Sequence, residues 1–230
     1  NRAAGYMKHQ GRFLNADYLS MTLPYAAGAL ASNVDDLFRW NRALSRNEFF
    51  TEASTAAMRT PYTLLDGTET NYGFGVRLGS WGDQLLVEHS GGINGFVCHG
   101  LRAEPRDLLV VVTNCSTGPS PSNLAFKALC EVMGEPYERP PRDIVANMED
   151  LEGNYQLGLM ACRVEAADDE LLLHGFGEGP AHYYPIGDDE FAEVNNEFLR
   201  IRFDRSGPEV TMTLMLRDAM PVTATREART

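Results

Sequence analysis

The tetrapeptide His89-Ser90-Gly91-Gly92 combines residue types that are common in enzyme active sites. Histidine can take up or release a proton near neutral pH, serine offers a hydroxyl group, and glycine lets another chain approach the backbone closely. Adjacent side chains in a strand point to opposite faces, so His89 cannot be the general base for Ser90. A Ser-His-Asp triad that pairs these two residues is therefore not expected, and the chain has no G-x-S-x-G motif.

Taken alone, the tetrapeptide also fits a purely structural role. His89 would then be a hydrogen-bonded residue at the end of a strand, and Ser90-Gly91-Gly92 would form a turn. A single histidine has many uses other than catalysis, so the residue types by themselves leave both interpretations open.

Neither a metal nor a cofactor is expected from the sequence. The histidines show no H-E-x-x-H motif and no short paired spacing, and no two cysteines form a C-x-x-C motif. Two acidic runs, 168–170 and 188–190, lack the alternating oxygen ligands of a calcium loop and are typical of hairpin turns. The glycine-rich segment 175–179 is not followed by a helical pattern, which argues against a phosphate-binding loop.

Composition excludes several classes of partner. The chain has 230 residues and a formal net charge of -12, and both nucleic acid and anionic membrane surfaces repel an acidic protein. No apolar run approaches the roughly 20 residues that a membrane-spanning helix needs. The chain starts at Asn1 and shows no signal peptide, so a periplasmic or secreted location and a cytoplasmic one both stay open.

The pattern divides the chain into two domains, 1–134 and 150–230, joined by a Pro-rich linker over 135–149. In the first domain, Ser32 is predicted to cap a helix from Asn33 to Leu44, since Asp35 completes a capping box. A second helix is predicted over Thr51–Met58 and a third over Pro121–Met133.

Strand patterns follow the first two helices and fill the second domain. Before the linker they predict an antiparallel sheet of Tyr72–Leu78, Gln84–His89, Gly95–Arg102 and Asp107–Asn114. The apolar run Leu108–Val112 is typical of a central strand covered on both faces. After the linker, eight short strands with turn signals between them predict a small sandwich or closed barrel: Gly153–Gln156, Cys162–Ala166, Glu170–Leu173, His182–Pro185, Glu190–Glu193, Phe198–Asp204, Val210–Leu216 and Val222–Arg226.

Five segments, in order, resemble the serine β-lactamase and penicillin-binding-protein superfamily, in its branch related to D-aminopeptidases, D-Ala-D-Ala carboxypeptidases and class C β-lactamases. They are Ala26–Ser32, Asp35-Asp36-Leu37 with Trp40, Tyr72–Gly75, His89–Gly92 with Gly95-Phe96, and Val110–Asn114. The second domain resembles the lipocalin-like β-domain that follows some of these enzymes, through Leu151–Tyr155 and Phe203-Asp204. The expected fold is therefore α+β: the C-terminal part of a β-lactamase/transpeptidase-like domain, with helices packed on an antiparallel sheet, followed by a small all-β barrel.

The resemblance implies a role for each residue of the tetrapeptide. His89 takes the basic position of the family's K-T-G or H-x-G strand, and Ser90 becomes a hydroxyl that hydrogen-bonds substrate. Gly91 gives steric clearance, and the backbone N–H of Gly92 is one oxyanion donor, worth about 3–4 kcal/mol of transition-state stabilisation. The implied substrates are small peptides, amides or esters, hydrolysed through an acyl-enzyme.

Two motifs of that superfamily are absent from the sequence. The chain has only two lysines, Lys8 and Lys127, so no serine begins an S-x-x-K motif, and no tyrosine begins Y-x-N. The sequence therefore predicts the C-terminal portion of a serine hydrolase, inactive by itself, whose partner is the N-terminal portion of the same protein. The alternative is a non-catalytic module that binds a ligand or partner on the same fold.

Overall fold

The computed structural model describes residues 3–104, 108–116, 119–142, 144, 146–176, 179–217 and 220–227. The chain divides into two compact units, Asn1–Tyr137 and Glu138–Thr230. The division falls inside the predicted linker 135–149, and the limits predicted for the two domains stay predictions. Each unit is described by itself.

In its described residues, the first unit contains a four-stranded antiparallel sheet in the order β3-β4-β5-β6, a separate hairpin and four helices. Helix α4 packs on β5 and β6. In chain order, the elements are β1 (Tyr6–His9), β2 (Arg12–Asn15), α1 (Tyr25–Gly28), α2 (Val34–Ser45), α3 (Glu52–Met58), β3 (Arg77–Trp81), β4 (Gln84–Ile93), β5 (Phe96–Glu104), β6 (Leu108–Asn114) and α4 (Pro121–Met133).

The N-cap of α2 differs from the prediction by one residue. Asn33, in extended conformation, accepts a hydrogen bond from the backbone N–H of Asp36 through its side-chain oxygen, at 2.9 Å. Ser32 instead directs its hydroxyl to the Asn33 carbonyl, at 3.4 Å. Both residue types are good caps, so composition alone did not decide between the neighbours. The other two predicted helices lie at Glu52–Met58, capped by Thr51, and at Pro121–Met133.

Two strand predictions are corrected by the structure. Of the predicted strand Tyr72–Leu78, only the last two residues lie in a strand, β3 (Arg77–Trp81). Tyr72 forms a single isolated bridge. Gly75, at φ 72°, turns the chain away before that strand begins. The run Leu108–Val112 lies in β6, at the end of the described sheet rather than in its centre. An apolar run indicates covered faces, and it does not fix how many neighbours a strand has.

A two-residue turn, Asn94-Gly95, joins β4 to β5 and sets their register. Ile93 pairs with Phe96 across it, and Gly95 adopts φ 81°, a left-handed conformation that favours glycine. A Cβ on Gly95 would lie 2.6 Å from both the Cβ of Ala16 and the Cα of Gly5, so the turn is held against the start of the chain. The backbone N–H of Tyr6 also donates to the Gly95 carbonyl at 3.2 Å.

Alternation along β4 and β5 gives the hairpin two distinct faces. The face toward α4, called the α4 face, packs apolar side chains against Ala125 and Leu129 of that helix; it carries Leu86, Glu88 and Ser90 of β4 and His99, Leu101 and Ala103 of β5. The opposite face, called the His89 face, carries Leu85, Val87, His89 and Gly91 of β4 and Cys98, Gly100 and Arg102 of β5. On that face Arg102 donates to the Asn41 carbonyl of α2 at 2.8 Å.

The second unit is a closed antiparallel barrel of eight strands, in which each strand pairs with its neighbours in sequence and β14 pairs back to β7. The predicted all-β barrel is confirmed. Its core is filled by large side chains, among them Tyr155, Phe191 and Ile201, all 0% exposed, as expected for eight strands. The strands are β7 (Gly153–Leu157), β8 (Met160–Ala167), β9 (Glu170–His174), β10 (Ala181–Pro185), β11 (Glu190–Glu193), β12 (Leu199–Asp204), β13 (Thr211–Leu216) and β14 (Val222–Arg226), after a short 3-10 helix at Glu149–Leu151.

Candidate active site

His89 lies on β4 with an exposed side chain, and its imidazole is held by a tyrosine. The Tyr72 hydroxyl oxygen lies 2.7 Å from Nε2 of His89. The two rings meet edge to face, with centroids 6.0 Å apart and planes at 64°. The Arg77 guanidinium also lies over the Tyr72 ring, 5.8 Å from its centroid. This tyrosine therefore restrains a group that can transfer a proton on the His89 face.

The same tyrosine lines a cavity of about 630 Å³ between the end of α3 and the following loop. The lining is mainly apolar and aromatic, with three threonines: Ala57, Thr60, Pro61, Tyr62, Thr63, Thr70, Tyr72, Gly73 and Phe74. Such a cavity suits an apolar or aromatic group with a few polar contacts. His89 and the cavity thus share one residue, Tyr72, and form one candidate site.

A close backbone contact shapes that cavity. A Cβ on Gly73 would lie 2.0 Å from the carbonyl oxygen of Met58, so only glycine allows the loop to pack on the end of α3. The backbone N–H of Phe74 donates to the same carbonyl at 3.1 Å. The contact satisfies a carbonyl in the last turn of the helix and places Tyr72, one residue earlier, beside His89.

Ser90 is not brought together with His89. Its hydroxyl lies on the α4 face, 2.9 Å from Nδ1 of His99. Nε2 of His99 lies 2.9 Å from a carboxylate oxygen of Glu88, and the side chains of both residues are buried, at 1% and 2% exposed. For Ser90 to hydrogen-bond a substrate beside His89, its side chain would have to reach around the strand, and that role stays a prediction.

Gly91 and Gly92 follow on β4, paired with Cys98 and Val97 of β5. A Cβ on Gly91 would lie 2.9 Å from the Cys98 sulfur, so the absence of a side chain leaves room for that thiol. A Cβ on Gly92 would meet Val97 at 4.0 Å. The roles predicted for these glycines, steric clearance and oxyanion donation, stay predictions.

The sequence interpretation missed Tyr72, Glu88 and His99. The signal that could have found His99 is the Asn94-Gly95 turn, because a two-residue hairpin pairs residues whose numbers sum to 189, and Ser90 then faces His99. Glu88 follows, since it shares a face with Ser90. Tyr72 had been noted as part of a motif, but 17 residues separate it from His89 and no pattern predicts their contact.

Within the described ranges, no group of three or more histidine, cysteine, aspartate or glutamate side chains is placed to hold a metal ion. Among the helices of the described residues, none is long and apolar enough to cross a membrane.

A family model described as Beta-lactamase matches residues 1–129, which is more than half of the 230-residue chain and includes the whole candidate site. The chain belongs to the beta-lactamase family. Penicillin-binding protein 4* of Bacillus subtilis (strain 168) is 26% identical to this family member over 176 residues, which cover 71% of this chain and 39% of that protein. D-aminopeptidase of Brucella ovis is 28% identical over 117 residues, covering 50% of this chain and 22% of that protein.

Solved structures with the same fold include the octameric penicillin-binding protein homologue from Pyrococcus abyssi. It aligns with a TM-score of 0.53 at 19% identity, over 97% of this beta-lactamase family chain and 53% of that one. The crystal structure of SurE aligns with a TM-score of 0.55 at 21% identity, over 98% of this chain and 55% of that one. The chain spans 22–39% of the length of the two sequence relatives and just over half of these structures.

Proposed function

We propose that the chain is the C-terminal portion of a serine hydrolase that acts through an acyl-enzyme on amide or ester bonds of small molecules or peptides. The relatives named as a penicillin-binding protein and a D-aminopeptidase support this reaction class. Within the family we propose the branch of D-aminopeptidases, D-Ala-D-Ala carboxypeptidases and class C β-lactamases. A histidine, His89, stands in the position that K-T-G relatives fill with lysine, and this favours peptidase or esterase relatives over penicillin-type recognition.

The observation that carries the proposal is the bond between Tyr72 and His89 at the edge of the apolar cavity. A basic group fixed by a hydrogen bond is oriented for proton transfer to or from a substrate. The cavity on the other side of Tyr72 would take an apolar or aromatic part of the substrate, held by burial of its surface.

In this proposal three residues of β4 have separate tasks. His89 supports proton transfer and binds the substrate's carboxylate or amide. Gly91 leaves the strand open to the substrate backbone, and the N–H of Gly92 donates to the developing oxyanion. The nucleophile and its lysine come from the N-terminal portion of the same protein, because S-x-x-K and Y-x-N are absent from this chain. The chain alone therefore does not complete this cycle.

The proposal gives the barrel a supporting role only. Its eight strands in sequential order favour the lipocalin-like assignment. Its interior is occupied by its own side chains, including Tyr155 and Phe191, so we do not assign it a ligand inside the barrel.

The experiment compares the complete gene product with this chain, using D-alanine p-nitroanilide, a D-Ala-D-Ala peptide and benzylpenicillin as substrates. We expect hydrolysis by the complete product only, and a loss of at least about 100-fold in kcat/KM for His89→Ala. The matched control is His9→Ala, which removes an exposed histidine on β1.

Two results would overturn the proposal. One is unchanged hydrolysis by the His89→Ala variant. The other is a coding sequence upstream of Asn1 without S-x-x-K, together with a complete product that hydrolyses none of the substrates. That second result would favour the alternative, a non-catalytic module that binds a ligand or partner.

A further inference from the structure

The α4 face of the hairpin carries a carboxylate, an imidazole and a hydroxyl joined in a chain of hydrogen bonds. Glu88 Oε2 lies 2.9 Å from Nε2 of His99, and Nδ1 of His99 lies 2.9 Å from the Ser90 hydroxyl oxygen. The proposed hydrolase reaction uses none of these contacts, since it takes place on the His89 face. A carboxylate, a base and a serine hydroxyl linked in this order form the arrangement that activates a serine as a nucleophile.

The fold holds these three hydrogen-bonded side chains in place. Ser90 and His99 are directly opposite each other in the register of β4 and β5, and Glu88 precedes Ser90 by two residues on the same face. Glu88 and His99 are 3% and 1% exposed, so their hydrogen bond lies in a low-dielectric environment that strengthens it. With Nε2–H donating to the carboxylate, Nδ1 carries the lone pair that accepts the Ser90 proton.

The hydroxyl end of this hydrogen-bonded series lies at the surface. Ser90 is exposed, whereas its two partners are buried. The next residue on the same face is Gly92, and within the described part of the chain a Cβ placed there meets only Val97, at 4.0 Å. A small molecule can therefore approach Ser90 from this side.

We propose that Ser90 is a nucleophile toward small activated carboxylic esters, with His99 as its base and Glu88 as the group that orients the base. The Ser90 oxygen bonds to the ester carbonyl carbon, and its proton passes to Nδ1 of His99. The bond from that carbon to the leaving oxygen breaks and the leaving group departs as an aryl oxide, which needs no protonation. A water molecule at the exposed Ser90 end takes up the proton from His99 and restores the neutral imidazole. A second water then bonds to the acyl carbon as Nδ1 accepts its proton; the bond from that carbon to the Ser90 oxygen breaks, and the proton passes from His99 to Ser90, giving a carboxylic acid and the free hydroxyl.

The test treats this 230-residue chain with p-nitrophenyl acetate, and separately with a fluorophosphonate probe, followed by peptide mapping by mass spectrometry. We expect the modification on Ser90 with both reagents. Ser90→Ala should abolish it, and Glu88→Gln should slow it at least about 10-fold, because the imidazolium formed during attack loses its counter-charge. Ser80→Ala is the matched control, since Ser80 is an exposed serine on β3 of the same sheet.

Modification of Ser90 no faster than that of Ser80, or at an unchanged rate in Glu88→Gln, would overturn this proposal. Because Glu88 is buried, the folding of that variant is checked by circular dichroism. If the Glu88→Gln variant does not fold, Ser90→Ala still decides the site, because Ser90 is exposed and its substitution leaves both buried side chains, Glu88 and His99, in the chain. The readout is acylation of this chain, so a negative result leaves the proposed hydrolase, measured on the complete gene product, untouched.

Discussion

The Tyr72 hydroxyl lies 2.7 Å from Nε2 of His89, and the ring that carries this hydroxyl forms part of a wall of the adjoining cavity. One side chain thus orients the candidate proton-transfer group and shapes the space beside it. In the proposed hydrolase, a substrate that fills the cavity would touch the residue that fixes the imidazole, so binding and proton transfer would be coupled through Tyr72.

Tyr72→Phe removes the hydroxyl and keeps the ring. In the complete gene product we expect kcat/KM to fall about 10- to 100-fold, because a hydrogen bond to a catalytic group is worth about 1.5–3 kcal/mol when that group is charged. The affinity for an apolar substrate should change less, since the cavity wall is retained. Steady-state kinetics with D-alanine p-nitroanilide measure both effects.

The control for this substitution is Tyr62→Phe, which changes another tyrosine of the cavity wall. We expect its kcat/KM to stay within about twofold of the parent. Equal losses for the two variants would mean that the hydroxyl of Tyr72 has no particular role.

Gly73→Ala tests the contact between the loop and α3. The added Cβ would lie 2.0 Å from the Met58 carbonyl, so the backbone has to move and the cavity has to change shape. We expect the free energy of unfolding to fall by about 2–3 kcal/mol. Urea denaturation followed by tryptophan fluorescence measures this for the first unit, because both tryptophans, Trp40 and Trp81, lie there.

The matched control is Gly100→Ala. A Cβ on Gly100 meets no described atom within 4 Å, so we expect a change of less than about 0.5 kcal/mol. A Gly73→Ala variant as stable as the control would show that the loop does not need the close approach.

Two substitutions test which of two adjacent residues, Ser32 or Asn33, caps α2. Asn33→Ala removes the side-chain oxygen that accepts from the Asp36 N–H and should destabilise the first unit by about 1 kcal/mol. Ser32→Ala should cost only a few tenths, because the Ser32 hydroxyl does not accept from the first turn of the helix. Urea denaturation followed by Trp40 fluorescence compares the two variants, and a larger effect at Ser32 would contradict the assignment.

The barrel is expected to lose stability at high pH through Tyr155. Burial raises the pKa of Tyr155 from 10.0 to about 12, while the positive charge of Arg226 opposes part of that increase. The folded state therefore favours the neutral phenol, which donates to the Leu151 carbonyl at 2.7 Å. A raised folded-state pKa gives stability that is fully present below pH 10 and is lost as the pH rises toward 12, at about 1.4 kcal/mol per pH unit.

The methyl NMR signal of Met212, which is fully buried in the barrel, can follow urea unfolding of this unit between pH 8 and pH 12. Tyr155→Phe should reduce the loss over this range, because phenylalanine does not titrate. Tyr25→Phe, at an exposed position of the first unit, should leave that loss unchanged. A pH dependence that is the same in Tyr155→Phe as in the parent would exclude Tyr155 as its source.

The barrel could be predicted because residues typical of turns mark the ends of its short strands. Pairs such as Asp168-Asp169 separate short strands at regular intervals, and Asp168 indeed adopts φ 51°. The hairpin of β1 and β2 was missed for the opposite reason. Every side chain in both strands is exposed, so no alternation of apolar and polar residues marks them.

From the sequence, candidate site residues could be named only where they are close together along the chain. His89 could be named from its tetrapeptide and a family resemblance. Its neighbour Tyr72 comes from a loop that reaches His89 through the packing of Gly73 on α3, a tertiary contact that no local pattern encodes. The direction of the Ser90 side chain followed from strand alternation, but its partner His99 required the register of the hairpin.

The Asn94-Gly95 turn also limits which insertions and deletions this region can accept. Surface loops usually tolerate added residues, but one residue more here would shift the pairing of β4 with β5 and turn the β5 side chains to the other face. His99 would leave Ser90, and the thiol of Cys98 would leave Gly91. Homologues that keep both faces should therefore vary in length elsewhere and keep two residues at this turn.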